Sequence, residues 1–108
     1  MTKISKELVG ATAVPMILSI LEQGESYGYQ IIQKVKKLSN NQIVWKEGSL
    51  YPVLHKMENA KLIKSEWQIA ENGRPRKYYV ILDGGKEMLL QEKENWKMVN
   101  DIFAHFWG

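Results

Sequence analysis

The sequence predicts a mainly α-helical fold with one small β-hairpin, formed by a single domain. Hydrophobic residues recur at helical spacing through most of the 108-residue chain, but a short stretch beyond residue 62 alternates with a period of two. Asn72-Gly73 interrupts that alternating stretch, and this dipeptide is the strongest short signal for a hairpin. The length, with 44% hydrophobic and 25% charged residues, is typical of one small globular domain.

The first predicted helix covers residues 5–22. Ser5 is its candidate N-cap, and Gly24 follows it at a position where glycine commonly ends helices. Pro15 lacks the N–H group that would donate to the carbonyl of Ala11, so we expect a kink at that point.

The second and third helices follow in turn. One is predicted from Ser26, as N-cap, to Leu38, and the next from the Glu47–Ser49 region to Ala60. At 100° per residue, the third helix has an apolar face for packing and an opposite face that is polar and partly basic. The polar side carries Ser49, Tyr51, Pro52, His55, Lys56 and Asn59.

The hairpin carries a cationic tip. Asn72 and Gly73 are interpreted as a two-residue type I′ turn, in which both residues need positive φ. That turn places Trp67 opposite Tyr78, and Trp67 is assigned to packing within the hairpin. The cations of the tip are Arg74, Arg76 and Lys77.

The last predicted helix follows Asp83, its candidate N-cap, and covers residues 84–107. Its apolar residues follow seven-residue steps in two interleaved series, as in the seam of a coiled coil. One small domain cannot cover such a stripe, so it predicts a partner, most simply a second copy of the chain. Packing on the first helix of the same chain is the alternative, and both arrangements can hold together. The predicted dimer-interface residues are Leu89, Trp96, Val99, Phe103 and Phe106.

Charge is distributed unevenly along the chain. Residues 27–82 carry eight Lys and two Arg against four Glu, a net charge of +6, whereas the two flanking segments carry net charges of −1 and −2. A basic segment within a nearly neutral chain favours a polyanionic partner, because each neutralised phosphate releases condensed counterions. The alternative is a solvated surface that is rich in lysine.

Other classes of function find no support in the sequence. The chain has no cysteine, and it shows neither a nucleophile–base pair nor a phosphate-binding loop. His55 and Glu58 stand three residues apart but lack further metal ligands nearby. The longest apolar run, Ala13–Leu21, is far shorter than the ~20 residues of a membrane span and follows no signal-peptide pattern. We therefore expect a cytoplasmic protein that is not an enzyme, needs no cofactor and contacts no membrane.

Three helices followed by a hairpin is the element order of the winged helix-turn-helix domain. We expect this head over residues 5–82 and a C-terminal dimerisation helix over 84–107, within one domain of residues 1–108. In such heads the third helix lies in the DNA major groove, while the hairpin, called the wing, contacts phosphates or the minor groove. The candidate DNA-binding residues are Tyr29, Lys34, Lys46, Ser49, Tyr51, Pro52, His55, Lys56, Arg74, Arg76 and Lys77.

Some of these residues have a purely structural alternative. Tyr51 either contacts DNA or packs against Tyr29 and closes the helix pair. His55 either lies in the groove or is simply exposed to solvent. Lys36 and Lys37 fit a solvated face better than specific contacts.

Five short motifs between residues 27 and 85 form a specific pattern. They are Tyr27-Gly28-Tyr29-Gln30-Ile31, Gly48-Ser49-Leu50-Tyr51-Pro52-Val53-Leu54, Leu62-Ile63 with Trp67, Gly73-Arg74-Pro75-Arg76-Lys77-Tyr78-Tyr79, and Gly85. In these motifs the chain resembles the PadR-like transcriptional regulators, in their short-tailed subgroup. Lys61 departs from the family pattern, which usually has Gly there, so either Lys61 adopts positive φ or the third helix ends differently. Asp83 replaces the usual Thr and can cap a helix equally well.

The resemblance implies a homodimeric, usually repressing regulator that binds a palindromic operator in double-stranded DNA. Members of the family often respond to phenolic or multidrug-like compounds. The position of Trp96 resembles the interface tryptophan of the small multidrug-binding members, which implies a planar aromatic, preferably cationic, ligand between two subunits. Alternatively, Trp96 only fills the interface and Glu92 turns to solvent. The implied ligand-binding residues are Leu8, Ala11, Pro15, Glu92, Trp96 and Asn100.

The sequence therefore predicts a sequence-specific DNA-binding transcriptional regulator, acting as a homodimeric repressor that a small aromatic ligand releases. The alternative is a winged-helix module that binds protein and not DNA. The basic charge of residues 27–82 and the intact wing tip argue against that alternative.

Overall fold

Four helices and a three-stranded antiparallel sheet form the protein. The computed structural model describes residues 6–108, and the N-cap predicted at Ser5 lies outside this range. Mainly helical architecture with a small β-hairpin is confirmed. The elements are α1 (Lys6–Glu22), β1 (Ser26–Tyr27), α2 (Gly28–Leu38), α3 (Glu47–Asn59), β2 (Ile63–Ile69), β3 (Pro75–Ile81) and α4 (Asp83–Trp107).

Helix α1 runs without a break through Pro15. One turn further on, the hydroxyl of Ser19 donates a hydrogen bond of 2.7 Å to the carbonyl oxygen of Pro15. Gly24, with φ +149°, follows the end of the helix at a backbone conformation that other residues rarely adopt. Among helices of residues 6–108, none is long and apolar enough to cross a membrane.

The sequence predicted Ser26 as the N-cap of α2, but the N-cap is Tyr27. Ser26 and Tyr27 form the short strand β1, which pairs with Tyr79 and Tyr78 of β3 and gives the sheet the order β1-β3-β2. The Ser26 side chain is fully buried, and its hydroxyl oxygen accepts a hydrogen bond of 2.9 Å from Nζ of Lys34. It therefore points into the protein and does not cap the helix, which begins two residues later.

The tip of the hairpin also differs from the prediction. The N–H of Gly73 donates to the carbonyl of Ala70, and the N–H of Ala70 donates to the carbonyl of Arg74, both at 2.8 Å. Gly73 has φ +80°, whereas Asn72 does not have positive φ. These features describe a three-residue loop with a bulge glycine and not a type I′ turn. Asn72 Oδ1 accepts a hydrogen bond of 3.1 Å from the N–H of Arg74, which stabilises this longer loop.

The longer loop shifts the strand register by one residue. Trp67 therefore pairs with Lys77, and the predicted pairing with Tyr78 is wrong. A shift of one residue changes which side chains share a face of the sheet. Trp67 is 69% exposed, so its predicted role in packing within the hairpin is wrong as well.

The hydrophobic core lies where α1, α2 and α3 meet the sheet and the first turns of α4. Leu89 of α4 is 1% exposed and belongs to this core. The prediction that Leu89 faces a partner subunit is therefore wrong, because its own chain already covers it. The other fully buried apolar residues are Ile17, Leu18, Ile31, Leu50, Leu54, Met57 and Ile63.

A close backbone contact joins α4 to the end of α3. Lys61 adopts φ +61°, which selects the first of the two alternatives left open for this position. A β-carbon at Gly85 would lie 2.2 Å from the carbonyl oxygen of Leu62, so this crossing requires glycine. Asp83 is the first residue of α4, and Leu82 is its N-cap, so the predicted cap is wrong by one residue.

Candidate nucleic-acid interface

Helix α3 has the two faces that the sequence predicted. Leu50, Leu54 and Met57 are buried and anchor the helix on the core. The residues that face away from the core are exposed, and we call them the reading face: Ser49, Tyr51, Pro52, His55 and Lys56. Hydroxyl, imidazole and ammonium groups on one helical surface can donate to or accept from base edges, and an apolar ring can contact a thymine methyl.

Beside the reading face, a hollow of about 370 Å³ opens between α2, α3 and the wing. It brings together four of the predicted DNA-binding residues from three separate parts of the chain. The hollow, called here the wing hollow, is lined by Tyr27, Gly28, Tyr29, Glu47, Tyr51, Trp67, Pro75, Arg76 and Lys77. The other five lining residues were not among the predicted site residues: Tyr27, Gly28, Glu47, Trp67 and Pro75.

Tyr51 is positioned by a glycine of the neighbouring helix. Its ring lies over Gly28, the first residue of α2, so closely that a β-carbon there would be 2.7 Å from the Tyr51 hydroxyl oxygen. The side chain nevertheless remains 43% exposed. Tyr51 therefore packs against the start of α2 and still presents surface to the wing hollow.

The wing cations are held by aromatic rings. The guanidinium carbon of Arg76 lies 4.3 Å from the ring centroid of Tyr27, and Tyr27 meets Tyr78 edge-on with centroids 5.3 Å apart. Nζ of Lys77 lies 5.9 Å from the ring centroid of Tyr79. Such contacts orient a cation without neutralising it, so both charges stay available to a polyanion. Arg74, at the tip, is exposed.

Tyr79 connects the wing to α3. Its side chain is buried, and this burial raises the pKa of the Tyr79 phenol, with smaller contributions from the nearby Glu58 and Tyr51. The phenol is therefore neutral at physiological pH. Glu58 Oε2 accepts a hydrogen bond of 2.6 Å from the hydroxyl of Ser65. Ser65, on β2, is the register partner of Tyr79 on β3.

Lys34 and Lys46 occupy different positions from the wing cations. Lys34 donates to the buried Ser26 and lines another groove, so the structure does not bring it together with the other DNA-binding candidates. Lys46 is exposed and is the N-cap residue of α3.

That other groove, of about 710 Å³, lies between α1, α2 and α4. Of the six residues predicted to bind a ligand, Pro15 and Trp96 line this groove. The other four, Leu8, Ala11, Glu92 and Asn100, do not. Sequence reasoning missed its wall on α2, because nothing in local periodicity shows which distant helices meet. The groove, called here the α1–α4 groove, is lined by Thr12, Pro15, Met16, Ser19, Ile20, Gln23, Lys34, Val35, Leu38, Ser39 and Trp96.

Glu92 is joined directly to Trp96. The indole Nε1–H of Trp96 donates a hydrogen bond of 3.1 Å to Oε2 of Glu92, one turn earlier on α4. Glu92 is half-buried and Trp96 is 37% exposed. The Glu92 carboxylate thus faces the Trp96 ring and orients it through this hydrogen bond.

The outer part of α4 presents an uncovered apolar stripe within the described chain. Val99, Phe103 and Phe106 are all exposed, as are other large apolar residues of this segment. The rings of Phe103 and Trp107 stack with centroids 4.5 Å apart and planes 6° from parallel.

Comparison with known proteins identifies the family. A family model described as the transcriptional regulator PadR-like family matches residues 17–91, a range that includes the reading face and the wing but not Trp96. An uncharacterized protein of Lysinibacillus sphaericus is 32% identical over 84% of both chains. The Escherichia coli transcriptional regulator YqjI is 26% identical over 80% of this chain, which spans only 40% of its length.

Solved structures agree with the family match. A transcriptional regulator from Clostridium thermocellum has a TM-score of 0.86 at 30% identity, covering 97% of this chain and 99% of that one. A PadR-like transcriptional regulator from Bacillus cereus has a TM-score of 0.83 at 34% identity, covering 95% and 99%. PadR regulators bind DNA, typically dimerise and are not enzymes. From the family match and these structures together, this winged-helix chain is a member of the PadR-like family of transcriptional regulators.

Proposed function

We propose that this protein binds operator DNA through the reading face of α3 and the wing. The observation that carries the proposal is the wing hollow, where Tyr29, Tyr51, Arg76 and Lys77 line one cavity beside α3. In a winged helix, a helix that enters the major groove and a wing that follows the backbone must share one side of the molecule. The hollow supplies that shared side.

The two parts of the interface have different tasks. The reading face offers hydroxyl, imidazole and ammonium groups and a proline ring, which choose among base pairs. The exposed or half-exposed Arg74, Arg76 and Lys77 supply positive charge for phosphates, which fixes position but carries no sequence information. Arg76 is already oriented by Tyr27, so less conformational freedom is lost when it binds.

We infer further that the protein acts as a homodimer on a palindromic operator. The exposed stripe of Val99, Phe103 and Phe106 supports this inference, because apolar helix faces of this extent are normally covered. A second copy related by a two-fold axis would cover it with the same stripe. Two heads so related read a palindrome.

A planar aromatic ligand, preferably cationic, is the proposed effector, and its binding between the subunits releases repression. Trp96 presents an exposed part of its ring beside the α1–α4 groove. Its hydrogen bond to Glu92 fixes the ring and places a carboxylate at its edge. A ring that is fixed in advance and a nearby negative charge both favour stacking of a flat cation.

Binding to fluorescent duplex DNA, measured by anisotropy between about 50 and 200 mM salt, tests the DNA-binding proposal. Arg76→Ala should weaken binding to all sequences and reduce the salt slope by about 1. Ser49→Ala should reduce discrimination between sequences and leave the slope unchanged. Parent protein that shows no salt-dependent binding to any duplex would contradict the proposal and favour a protein-binding module.

A further inference from the structure

Trp67 is exposed in the middle of a strand whose preceding residues on the same face are covered. Ile63 is fully buried and Ser65 half-buried, but Trp67 is 69% and Ile69 79% exposed. Strand β2 therefore leaves the core after Ser65 and carries two large apolar side chains past it. Within residues 6–108, the indole N–H of Trp67 has no hydrogen-bond partner.

The surroundings of Trp67 are aromatic and cationic. Trp67 lies directly opposite Lys77 in the register of the hairpin. It shares the wing hollow with the rings of Tyr29 and Tyr51 and with Arg76. The lining of this hollow has no residue in common with the lining of the α1–α4 groove, so the exposure of Trp67 is not part of the proposed effector site.

We propose that Trp67 is a DNA-contacting residue of the wing, packing its indole ring on a deoxyribose next to a phosphate that Arg76 and Lys77 hold. This inference rests on the proposed DNA-binding function. A sugar presents an apolar surface next to a charged phosphate, and the hollow presents a large apolar ring next to two cations. Glu47, on the α3 side of the hollow, repels phosphate and keeps the backbone on the wing side.

The contact has a distinct thermodynamic signature. Burying indole against a sugar displaces water but releases no counterions, so its contribution is independent of salt. Arg76, in contrast, contributes through counterion release. The affinity lost at position 67 should therefore stay constant as salt is varied, while the affinity lost at position 76 shrinks with added salt.

Anisotropy titrations of a random-sequence duplex between about 50 and 200 mM salt test the contact. Trp67→Ala should bind about tenfold more weakly at every salt concentration, since an aromatic contact to nucleic acid lost on alanine substitution has roughly this effect. Trp67→Phe should show an intermediate loss. Ile69→Ala is the matched control, because Ile69 is exposed on the same strand face but does not line the hollow, and it should bind as the parent does.

Tryptophan emission supplies a second measurement that does not depend on the alanine variant. Addition of the duplex should quench the parent more than Trp67→Phe, because the difference reports Trp67 alone. The inference is overturned if the parent binds DNA while both Trp67 variants match it in affinity and Trp67→Phe matches it in quenching. If the parent binds no DNA at any salt concentration, the proposed function fails first, and the exposed Trp67 then belongs to a protein-binding surface.

Discussion

The phenol ring of Tyr51 rests on Gly28, so a side chain at position 28 would have to displace the ring. A β-carbon there would lie 2.7 Å from the hydroxyl oxygen and 3.0 Å from the ring carbon that bears it. The glycine that opens α2 therefore determines where an exposed aromatic residue of α3 stands. This contact links the packing of the two helices to the surface that we propose reads DNA.

Gly28→Ala should displace the Tyr51 ring and reduce discrimination among DNA sequences, with little change in the salt slope. We expect a loss of about 1 to 3 kcal/mol in the free energy of unfolding, because the extra carbon overfills the contact. Urea unfolding of a double-mutant cycle checks the cause. In a Tyr51→Ala background, Gly28→Ala should cost much less, and an unchanged cost would show that another contact is responsible.

Gly85→Ala should destabilise the junction between α3 and α4 more severely. The added carbon would meet the backbone oxygen of Leu62 at 2.2 Å, and backbone cannot rotate away as a side chain can. We expect a loss above about 2 kcal/mol, measured by urea unfolding. Gly48→Ala is the control, because no atom lies within 4 Å of a β-carbon there, and it should stabilise α3 by up to about 1 kcal/mol. Equal effects of the two substitutions would refute this account of the junction.

Sedimentation equilibrium should give twice the chain mass of 12.5 kDa at micromolar concentration. Phe103→Glu places a carboxylate in the exposed apolar stripe of α4, so it should shift the equilibrium towards monomer. Lys97→Glu, also an introduced carboxylate on α4 but outside the proposed stripe, should leave the mass unchanged. A parent protein that sediments as a monomer would remove both the proposed dimer and the palindromic operator.

A planar cationic dye should bind the parent protein and quench its tryptophan emission. The same dye should not bind Trp96→Ala. Glu92→Gln should weaken binding of the cationic dye and leave binding of a neutral analogue unchanged. The glutamine amide oxygen can still accept the hydrogen bond from Trp96, but the negative charge is gone. Isothermal titration measures both affinities. Linkage requires that the dye lowers the affinity for DNA by the same factor by which DNA lowers the affinity for the dye. Undiminished dye binding by Trp96→Ala would exclude the proposed effector site.

Local pattern was enough to predict the helices and the two faces of α3. The helical spacing of Leu50, Leu54 and Met57 predicted which side is buried, because apolar residues at that spacing form the face that packs on the core. The wing was also predicted from its alternating residues. Its register was not, because a two-residue and a three-residue loop can both use Asn72-Gly73. The hydrogen bond that Asn72 Oδ1 accepts from the N–H of Arg74 favours the longer loop.

The remaining differences arise from contacts between distant parts of the chain. Ser26 has the composition of an N-cap, but pairing with β3 buries it and Lys34 satisfies its hydroxyl. Leu89 fits the seam of α4 by spacing, yet the helix passes over the core before its stripe becomes free. Trp67 was assigned to packing because large aromatic residues usually are buried. It is exposed because β2 extends beyond the edge of the core, which the local sequence pattern does not show.

Selection of bound duplexes from a random pool tests the central claim most directly. If α3 reads bases in two symmetric heads, the enriched sequences should form an inverted repeat with half-site centres about 10 bp apart, or a multiple of that spacing. Substitution at Ser49 should then alter the preferred bases within the half-sites, while Arg76→Ala should leave them unchanged and lower the yield. Recovery of the input pool without an enriched sequence, by folded protein at low salt, would contradict the claim that this surface recognises operator DNA.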